Sequence, residues 1–270
     1  MLADSHSFPV HDYLVRIGLA DGRAPQRDSG VSGSGTCDSG TRSVSQIDVA
    51  ALASAQFAAI PFENLDIHRG RPVEIDPDAI VEHLIVNRRG GICYQLNGLL
   101  WLALRALGVD ASCIGARVCG ADVMGPPLGH ITVLAQIAGE SWLLDVGFGG
   151  EMVCRPIDLT DQAQRRVEVG ASAYLLEDHV RDLADFVAMA WWHSTSRRSR
   201  FTGSLICTRT VAGARITLTG ADAPGSYRLV DTDGDDRAES VIDRAEAQRV
   251  LAESFGIEMD AIPLRAADFG

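Results

Sequence analysis

The chain has 270 residues, of which 46% are hydrophobic and 22% charged, and its formal net charge at pH 7 is −12. This length allows a sizeable core in one large domain or two small ones. The negative charge argues against nucleic acid or anionic membrane as a general partner, and no apolar run reaches the roughly 18 residues of a membrane span. The N-terminus lacks the basic and apolar parts of a secretory signal, so we expect a cytoplasmic protein.

Helical patterns dominate the first part of the chain. The spacing of apolar residues predicts helices over 9–18, 45–59 (with a serine cap), 76–87 and 93–107. The last of these is apolar on nearly all sides, which predicts deep burial. Between the first two helices, the Gly/Ser-rich stretch 28–43 is expected to be a flexible insertion.

After residue 108 the pattern changes from helical to extended. Short β-rich runs are separated by Gly/Pro turns, with Gly139-Glu140 as a hairpin tip, and one more helix closes the chain. Helices followed by strands favour an α+β fold with a mainly antiparallel sheet. The predicted strands and the closing helix lie at 111–119, 131–137, 142–146, within 201–230 and at 243–255.

One of the 6 cysteines stands out. None of them forms a Cys-x-x-Cys pair, so neither a metal site nor a disulfide framework is expected. Cys93 begins the long apolar helix, where free N–H groups and the helix dipole favour a thiolate. Gly90 and Gly91 before it are expected to give a substrate room and to let the backbone turn sharply. These local features leave two interpretations open, a core side chain and a nucleophile.

A nucleophilic cysteine needs a base and a group that orients the base. His130 opens a strand after a Gly/Pro-rich loop, and is either such a base or a solvent-facing edge histidine. Asp145 lies in an apolar strand, where a carboxylate needs a cation or a strong donor. A two-residue turn would place Asp145 opposite Leu134, and a four-residue loop would place it opposite His130. Both registers put the two side chains on one face.

Four segments follow one another in the chain: Pro61-Phe62-Glu63-Asn64-Leu65-Asp66, Arg88-Arg89-Gly90-Gly91-Ile92-Cys93-Tyr94, His130, and Asp145-Val146-Gly147-Phe148-Gly149-Gly150. In this order and with comparable gaps, they resemble the arylamine N-acetyltransferases. The resemblance implies a papain-like Cys-His-Asp arrangement in an α+β fold. It assigns residues 1–108 to a helical bundle with the nucleophile, 109–200 to a mainly antiparallel β-barrel with the histidine and aspartate, and 201–270 to an α/β lid.

The resemblance also implies the activity. Cys93, His130 and Asp145 would form a catalytic triad for ping-pong acyl transfer. Cys93 would take the acetyl group from acetyl-CoA and pass it to an arylamine or hydrazine, with no metal and no permanently bound cofactor. Phe62 and Phe148 would line the acceptor pocket.

Some residues near the cysteine carry supporting roles or depart from the family pattern. Glu63 and Arg88 resemble the pair that ties the second segment beneath the cysteine. Gln95 stands where many members have glutamate. Residues 120–129 and the stretch after 150 match only loosely, and acyl-donor specificity is expected to depend on them.

Two alternatives use the same triad. Related amide synthases release a polyketide from an acyl carrier protein thioester and close it into a macrolactam through its own amine. A cysteine hydrolase would use water as the acceptor. The motifs do not distinguish these activities.

Overall fold

The computed structural model describes residues 8–20, 48–120, 123–223 and 225–263. The predicted insertion 28–43 lies outside these ranges. The helices are α1 Val10–Arg16, α2 Val49–Ala59, α3 Pro77–Val81, α4 Cys93–Ala106, α5 Val187–Thr195, α6 Arg200–Gly203 and α7 Arg244–Phe255. The strands are β1 Phe62–Glu63, β2 Ala111–Cys119, β3 His130–Ile137, β4 Glu140–Asp145, β5 Val153–Pro156, β6 Arg166–Val169, β7 Ser172–Arg181, β8 Ile206–Val211, β9 Ala214–Gly220, β10 Ser226–Asp233 and β11 Asp236–Asp243.

The N-terminal helices surround α4, whose first two turns are almost entirely buried. The expected serine cap of α2 is wrong, because the helix begins later and Asp48 accepts the N–H of Ala51 at 3.0 Å. The predicted helix 76–87 divides into α3 and a π-helical turn, Glu82–Val86. These elements bury α4 without covering the side from which the barrel approaches it.

Six antiparallel strands form the barrel, in the order β5-β4-β3-β2-β7-β6. The β3–β4 turn contains Ala138 (φ 52°) and Gly139 (φ 88°), the left-handed backbone of a tight hairpin. The turn comes one residue earlier than expected and pairs Val133 with Leu144. Asp145 therefore lies one step beyond that pair, opposite neither Leu134 nor His130. The Asp145 side chain nevertheless lies on the same face of the sheet as His130, as predicted.

A second antiparallel sheet, in the order β1-β8-β9-β10-β11, packs against α7. It has a core of its own, which includes Leu218, Tyr227, Leu251 and Phe255. The main core is shared between α4 and the barrel strands β2, β3 and β4. The α+β class with helices and a mainly antiparallel barrel is thus confirmed, while the three domain boundaries stay a prediction.

None of the helices in the described ranges combines the length and the hydropathy that crossing a bilayer requires.

Candidate active site

Cys93 is the first residue of α4 and is only 3% exposed. The N-cap residue, Ile92, has extended backbone and offers no side-chain oxygen to the first turn. The free N–H groups of a helix start favour a negative charge. Cys93 therefore lies at the N-terminal end of α4, among the backbone N–H groups that the helix leaves free.

The paired glycines before Cys93 serve a different purpose from the one expected. A Cβ on Gly90 would come within 2.3 Å of the Pro61 carbonyl oxygen, and one on Gly91 within 2.6 Å of the Gln95 side chain. Neither glycine has a positive φ; the left-handed residue of this loop is Arg88, at 51°. The glycines thus make room for the chain's own segments, rather than for a substrate or a sharp turn.

Gln95 folds back over the start of α4. Its Oε1 accepts the backbone N–H of Ile92 at 3.4 Å, a long bond that partly replaces the missing N-cap oxygen. A neutral amide is sufficient for this role. Gln95 also borders a cavity of 290 Å³ whose lining includes neither His130 nor Asp145.

His130 and Asp145 form a buried ion pair. The Nε2 of His130 lies 2.7 Å from Oδ2 of Asp145, and both side chains are at most 3% exposed. This leaves the other ring nitrogen, Nδ1, available to Cys93, which lies close enough to act on the ring. The protons are assigned from this network. The structure thus brings together the three residues predicted as a triad.

Asn97 is the residue that sequence reasoning missed. Its Nδ2 donates to Oδ1 of Asp145 at 2.8 Å and to the Ile131 carbonyl at 2.6 Å, while its Oδ1 accepts the N–H of Val146 at 2.9 Å. It lies one turn after Cys93 on the same face of α4. An asparagine among the mostly apolar residues of a buried helix was the available signal.

The charges in the cluster depend on one another. Burial alone would lower the pKa of His130, but the charge and hydrogen bond of Asp145, with those of Cys93, raise it to about 10. Burial opposes ionisation of Asp145 as well, yet His130, Asn97 and the Gly147 N–H lower the pKa of this carboxyl. The cluster therefore favours an imidazolium beside a carboxylate.

This pairing predicts a pH dependence of stability. The pKa of folded His130 is above its ordinary value of 6.5, so protonated His130 stabilises the fold fully below pH 6.5 and loses this contribution as pH rises towards 10. We expect the free energy of unfolding to fall more steeply between pH 7 and pH 10 in the wild type than in His130→Asn. Urea denaturation across this range measures both slopes, and equal slopes would contradict the prediction.

Aromatic rings cover the imidazole. Phe148 meets the His130 ring edge-to-face at 5.2 Å, and Tyr174 packs against both rings, at 5.1 Å from His130 and 5.4 Å from Phe148. The Tyr174 hydroxyl is buried without a hydrogen bond of normal geometry. Burial and the nearby charge of Asp145 raise the pKa of this hydroxyl well above its usual value. Phe62 packs against Phe201, with the ring centroids 5.9 Å apart. Phe148 is partly exposed beside His130, whereas the Tyr174 ring is fully buried behind it.

The ion pair beneath the cysteine loop involves Arg89, and the prediction of Arg88 is wrong. Arg89 donates to Oε1 of Glu63 through Nε at 3.0 Å and Nη2 at 2.6 Å, and to Asp66 at 3.1 Å. Glu63 is 3% exposed, whereas the Arg88 side chain points to solvent. The left-handed backbone at Arg88 turns this side chain away, so its neighbour meets the carboxylate.

We expect Arg89→Ala to cost about 3–5 kcal/mol of unfolding free energy, because it leaves the Glu63 carboxylate buried without its cation. Arg88→Ala, the matched control, removes an exposed side chain and should change stability by less than about 0.5 kcal/mol. Chemical denaturation of both variants measures the difference. Similar losses in the two variants would show that the assignment of the pair is wrong.

The fold and the arrangement of side chains define a papain-like thiol enzyme with a Cys-His-Asp cluster. The sequence matches the family described as N-acetyltransferase over residues 48–171 and 163–264. A relative from Salmonella typhimurium, an arylamine N-acetyltransferase / N-hydroxyarylamine O-acetyltransferase, is 32% identical to this chain. The alignment covers 62% of this chain and 68% of the relative. The chain belongs to the arylamine N-acetyltransferase family, as the sequence resemblance indicated.

Solved structures agree with this family membership. An arylamine N-acetyltransferase of Mycobacterium smegmatis superposes with a TM-score of 0.72 at 25% identity, covering 93% of each chain. The Mycobacterium marinum enzyme, solved in complex with CoA, gives a TM-score of 0.65 at 26% identity, over 76% of this chain and 84% of that one. The prediction of an acyltransferase enzyme is confirmed.

Proposed function

We propose that this enzyme transfers an acetyl group from acetyl-CoA to an arylamine or hydrazine by a ping-pong mechanism through acetyl-Cys93. The observation that carries the proposal is the contact of Cys93, at a helix start, with a His130 held by buried Asp145. The family relatives named above act on arylamines, and one of them was solved with CoA.

In the first half-reaction the Cys93 thiolate attacks the carbonyl carbon of the thioester. A carbon–sulfur bond to the enzyme forms as the bond to CoA breaks, and the His130 imidazolium gives its proton to the departing CoA sulfur. Asp145 holds the imidazole through Nε2 throughout, so that Nδ1 faces the reacting sulfur. Acetyl-Cys93 beside a neutral His130 results.

In the second half-reaction the free amine attacks the acetyl carbon and loses a proton to His130. The Cys93 sulfur leaves as a thiolate, which restores the starting charges. Weakly basic aryl amines are largely unprotonated at neutral pH, so they suit this step better than alkyl amines. Phe148, which is partly exposed beside His130, would pack against a flat acceptor, and Phe62 would be the second ring of the acceptor pocket.

Intact-mass spectrometry after incubation with acetyl-CoA tests the proposal. Because the chain contains no lysine, side-chain acetylation elsewhere hardly interferes. We expect one acetyl group, absent from Cys93→Ala and discharged by aniline or a hydrazine. Cys113→Ala is the matched control and should still be acetylated, since Cys113 is buried in β2 and burial raises the pKa of its thiol to about 12.

The same assay distinguishes the other activities. An adduct formed only from a long acyl thioester would favour release of a polyketide from an acyl carrier protein, and an adduct discharged by water alone would favour a hydrolase. An unmodified Cys93 with every donor would overturn the proposed function. We also propose a cytoplasmic location, which suits the five free cysteines of the described residues.

A further inference from the structure

Tyr94, the residue after Cys93, joins the nucleophile helix to the turn before His130. Its side chain is fully buried, and its hydroxyl donates to the Leu128 carbonyl at 2.7 Å. Burial and the nearby charge of Cys93 raise the pKa of this hydroxyl above its usual value, so the group stays a neutral donor. The hydrogen bond therefore runs from the neighbour of Cys93 to a residue two positions before His130. The reaction as written above makes no use of it.

The turn that accepts this hydrogen bond contains an unusual residue. Gly129 donates its N–H to the Pro126 carbonyl at 3.1 Å, which closes a turn with Pro127 and Leu128 at its centre. The ring of Pro127 fixes its φ at about −65°, and Leu128 has a φ of 56°, a combination found in type II turns. Glycine or asparagine usually occupies the second central position of such a turn, because a left-handed backbone is unfavourable for a side chain with a Cβ. The contacts of Leu128 therefore have to offset the cost of its conformation.

The barrel supplies part of this support. Glu177 of β7 accepts the Leu128 N–H at 2.8 Å. Gly115 of β2 gives room to both side chains, since a Cβ there would come within 2.6 Å of Cδ2 of Leu128 and 2.9 Å of Oε2 of Glu177. The β2–β7 register shifts at this glycine, between Ile114 and Ala116. The hydroxyl from α4 is the contact that ties the supported turn to the nucleophile helix.

Hydrogen bonds from α4 reach the backbone on both sides of His130. Tyr94 holds the carbonyl of Leu128, two residues before the histidine. Asn97 donates to the carbonyl of Ile131, the residue after it, at 2.6 Å. The pairing of β3 with β4 fixes His130 relative to its carboxylate partner, but its distance from the sulfur depends on how α4 packs against this sheet. The two hydrogen bonds set that packing where the imidazole begins.

We propose that Tyr94 is a positioning residue: its hydroxyl holds the turn before His130 and thereby keeps the imidazole within reach of Cys93. The inference rests on the proposed roles of Cys93 and His130. A small displacement of a catalytic group costs much rate, so this hydrogen bond affects catalysis without touching substrate. The Tyr94 ring packs against Phe186 and His193, with centroids 6.0 and 5.9 Å away, and this packing does not involve the hydroxyl.

Tyr94→Phe removes the hydroxyl and keeps the ring. We expect acetylation of Cys93, measured as CoA release in the first turnover, to slow by about 10–100-fold. Tyr227→Phe is the matched control, since Tyr227 of β10 is also buried and donates to the Pro263 carbonyl at the same 2.7 Å. Both variants lose a hydrogen bond from a tyrosine hydroxyl to a carbonyl, so they should lose similar stability. Only Tyr94→Phe should lose rate.

A second substitution tests whether the effect passes through the turn. Leu128→Gly puts at the left-handed position the residue that a type II turn favours, so the turn then depends less on the hydroxyl. The double variant Tyr94→Phe/Leu128→Gly should recover most of the rate that Tyr94→Phe loses. A hydroxyl needed for stability alone would give no recovery, because Leu128→Gly removes a further apolar side chain.

Glu177 allows the same test from the barrel side. Glu177→Met removes the acceptor of the Leu128 N–H at similar length, and should slow acetylation in the same direction. Glu177→Gln keeps an oxygen at this position and should keep most of the rate. The pair leaves every residue of α4 unchanged.

The outcomes are distinct. A slow Tyr94→Phe whose rate Leu128→Gly restores supports the inference. A wild-type rate in Tyr94→Phe, an equal loss in Tyr227→Phe, or a double variant without recovery overturns it. Thermal unfolding identifies a variant that has lost its fold, in which case the two Glu177 variants decide. A wild-type Cys93 that no acyl donor modifies would instead overturn the proposed function itself.

Discussion

Asp145→Asn is expected to slow acylation of Cys93 by about 10³–10⁴-fold with the fold intact, an effect known for this substitution in other triads. The amide can still accept from Asn97 and from the N–H of Gly147. Its NH₂ group would then face Nε2 of His130, which must become an acceptor. The ring proton moves to Nδ1, the nitrogen that faces Cys93, and the imidazolium loses its counter-charge.

Rapid-quench measurement of CoA release in the first turnover tests this expectation. Asp158→Asn, an exposed carboxylate that accepts from Thr160, is the matched control and should leave the rate unchanged. Since the charge of Asp145 raises the pKa of His130, the alkaline limb of the rate should also move to lower pH. A loss no larger than that of the control would show that Asp145 does not orient the base.

Gly147→Ala is the second substitution with a large expected effect. A Cβ at this position would lie 2.8 Å from the Cα of Cys93 and 2.8 Å from Nδ2 of Asn97. The backbone of α4 cannot yield, so the end of β4 must move away and carry Asp145 with it. We expect a loss of about 1–3 kcal/mol in stability and of about 100-fold in acylation rate.

The control for this substitution is Gly220→Ala at the end of β9. An added Cβ there meets nothing within 4 Å, and neither Gly147 nor Gly220 has a positive φ. The comparison therefore sets a substitution that meets close neighbours against one that meets none, without backbone strain in either. Comparable acylation rates in both would mean that the close approach of β4 to Cys93 is not needed for catalysis.

Strong periodic patterns made part of the fold predictable. The apolar repeat of α4 and the branched residues of β2 identify both elements almost to the residue. Strands β6 and β7 were missed, because β6 has only four residues and the burial of β7 is irregular, with polar side chains interrupting its apolar positions. The shift of the β3–β4 turn was unpredictable for a different reason: Ala138 adopts a left-handed backbone that glycine usually supplies.

The candidate site was predictable in its reacting groups and not in its supports. Each of Cys93, His130 and Asp145 has an ordinary structural explanation when it is considered by itself. Together, their thiol, imidazole and carboxylate fit one chemistry. Whether Arg88 or Arg89 pairs with Glu63 depends on the backbone φ of Arg88, which the sequence pattern does not predict. Asn97 and Tyr174 act through contacts between elements far apart in sequence, so only the packed structure reveals them.

The two-residue strand β1 has a consequence for the order of folding. Phe62 bridges to Gly91 on one side and pairs with Thr208 of β8 on the other. The loop before the nucleophile is thus braced by a strand from the far end of the chain, and such distant pairings form late. In refolding from denaturant, reactivity towards acetyl-CoA should return with the slowest phase, after most helical signal has recovered.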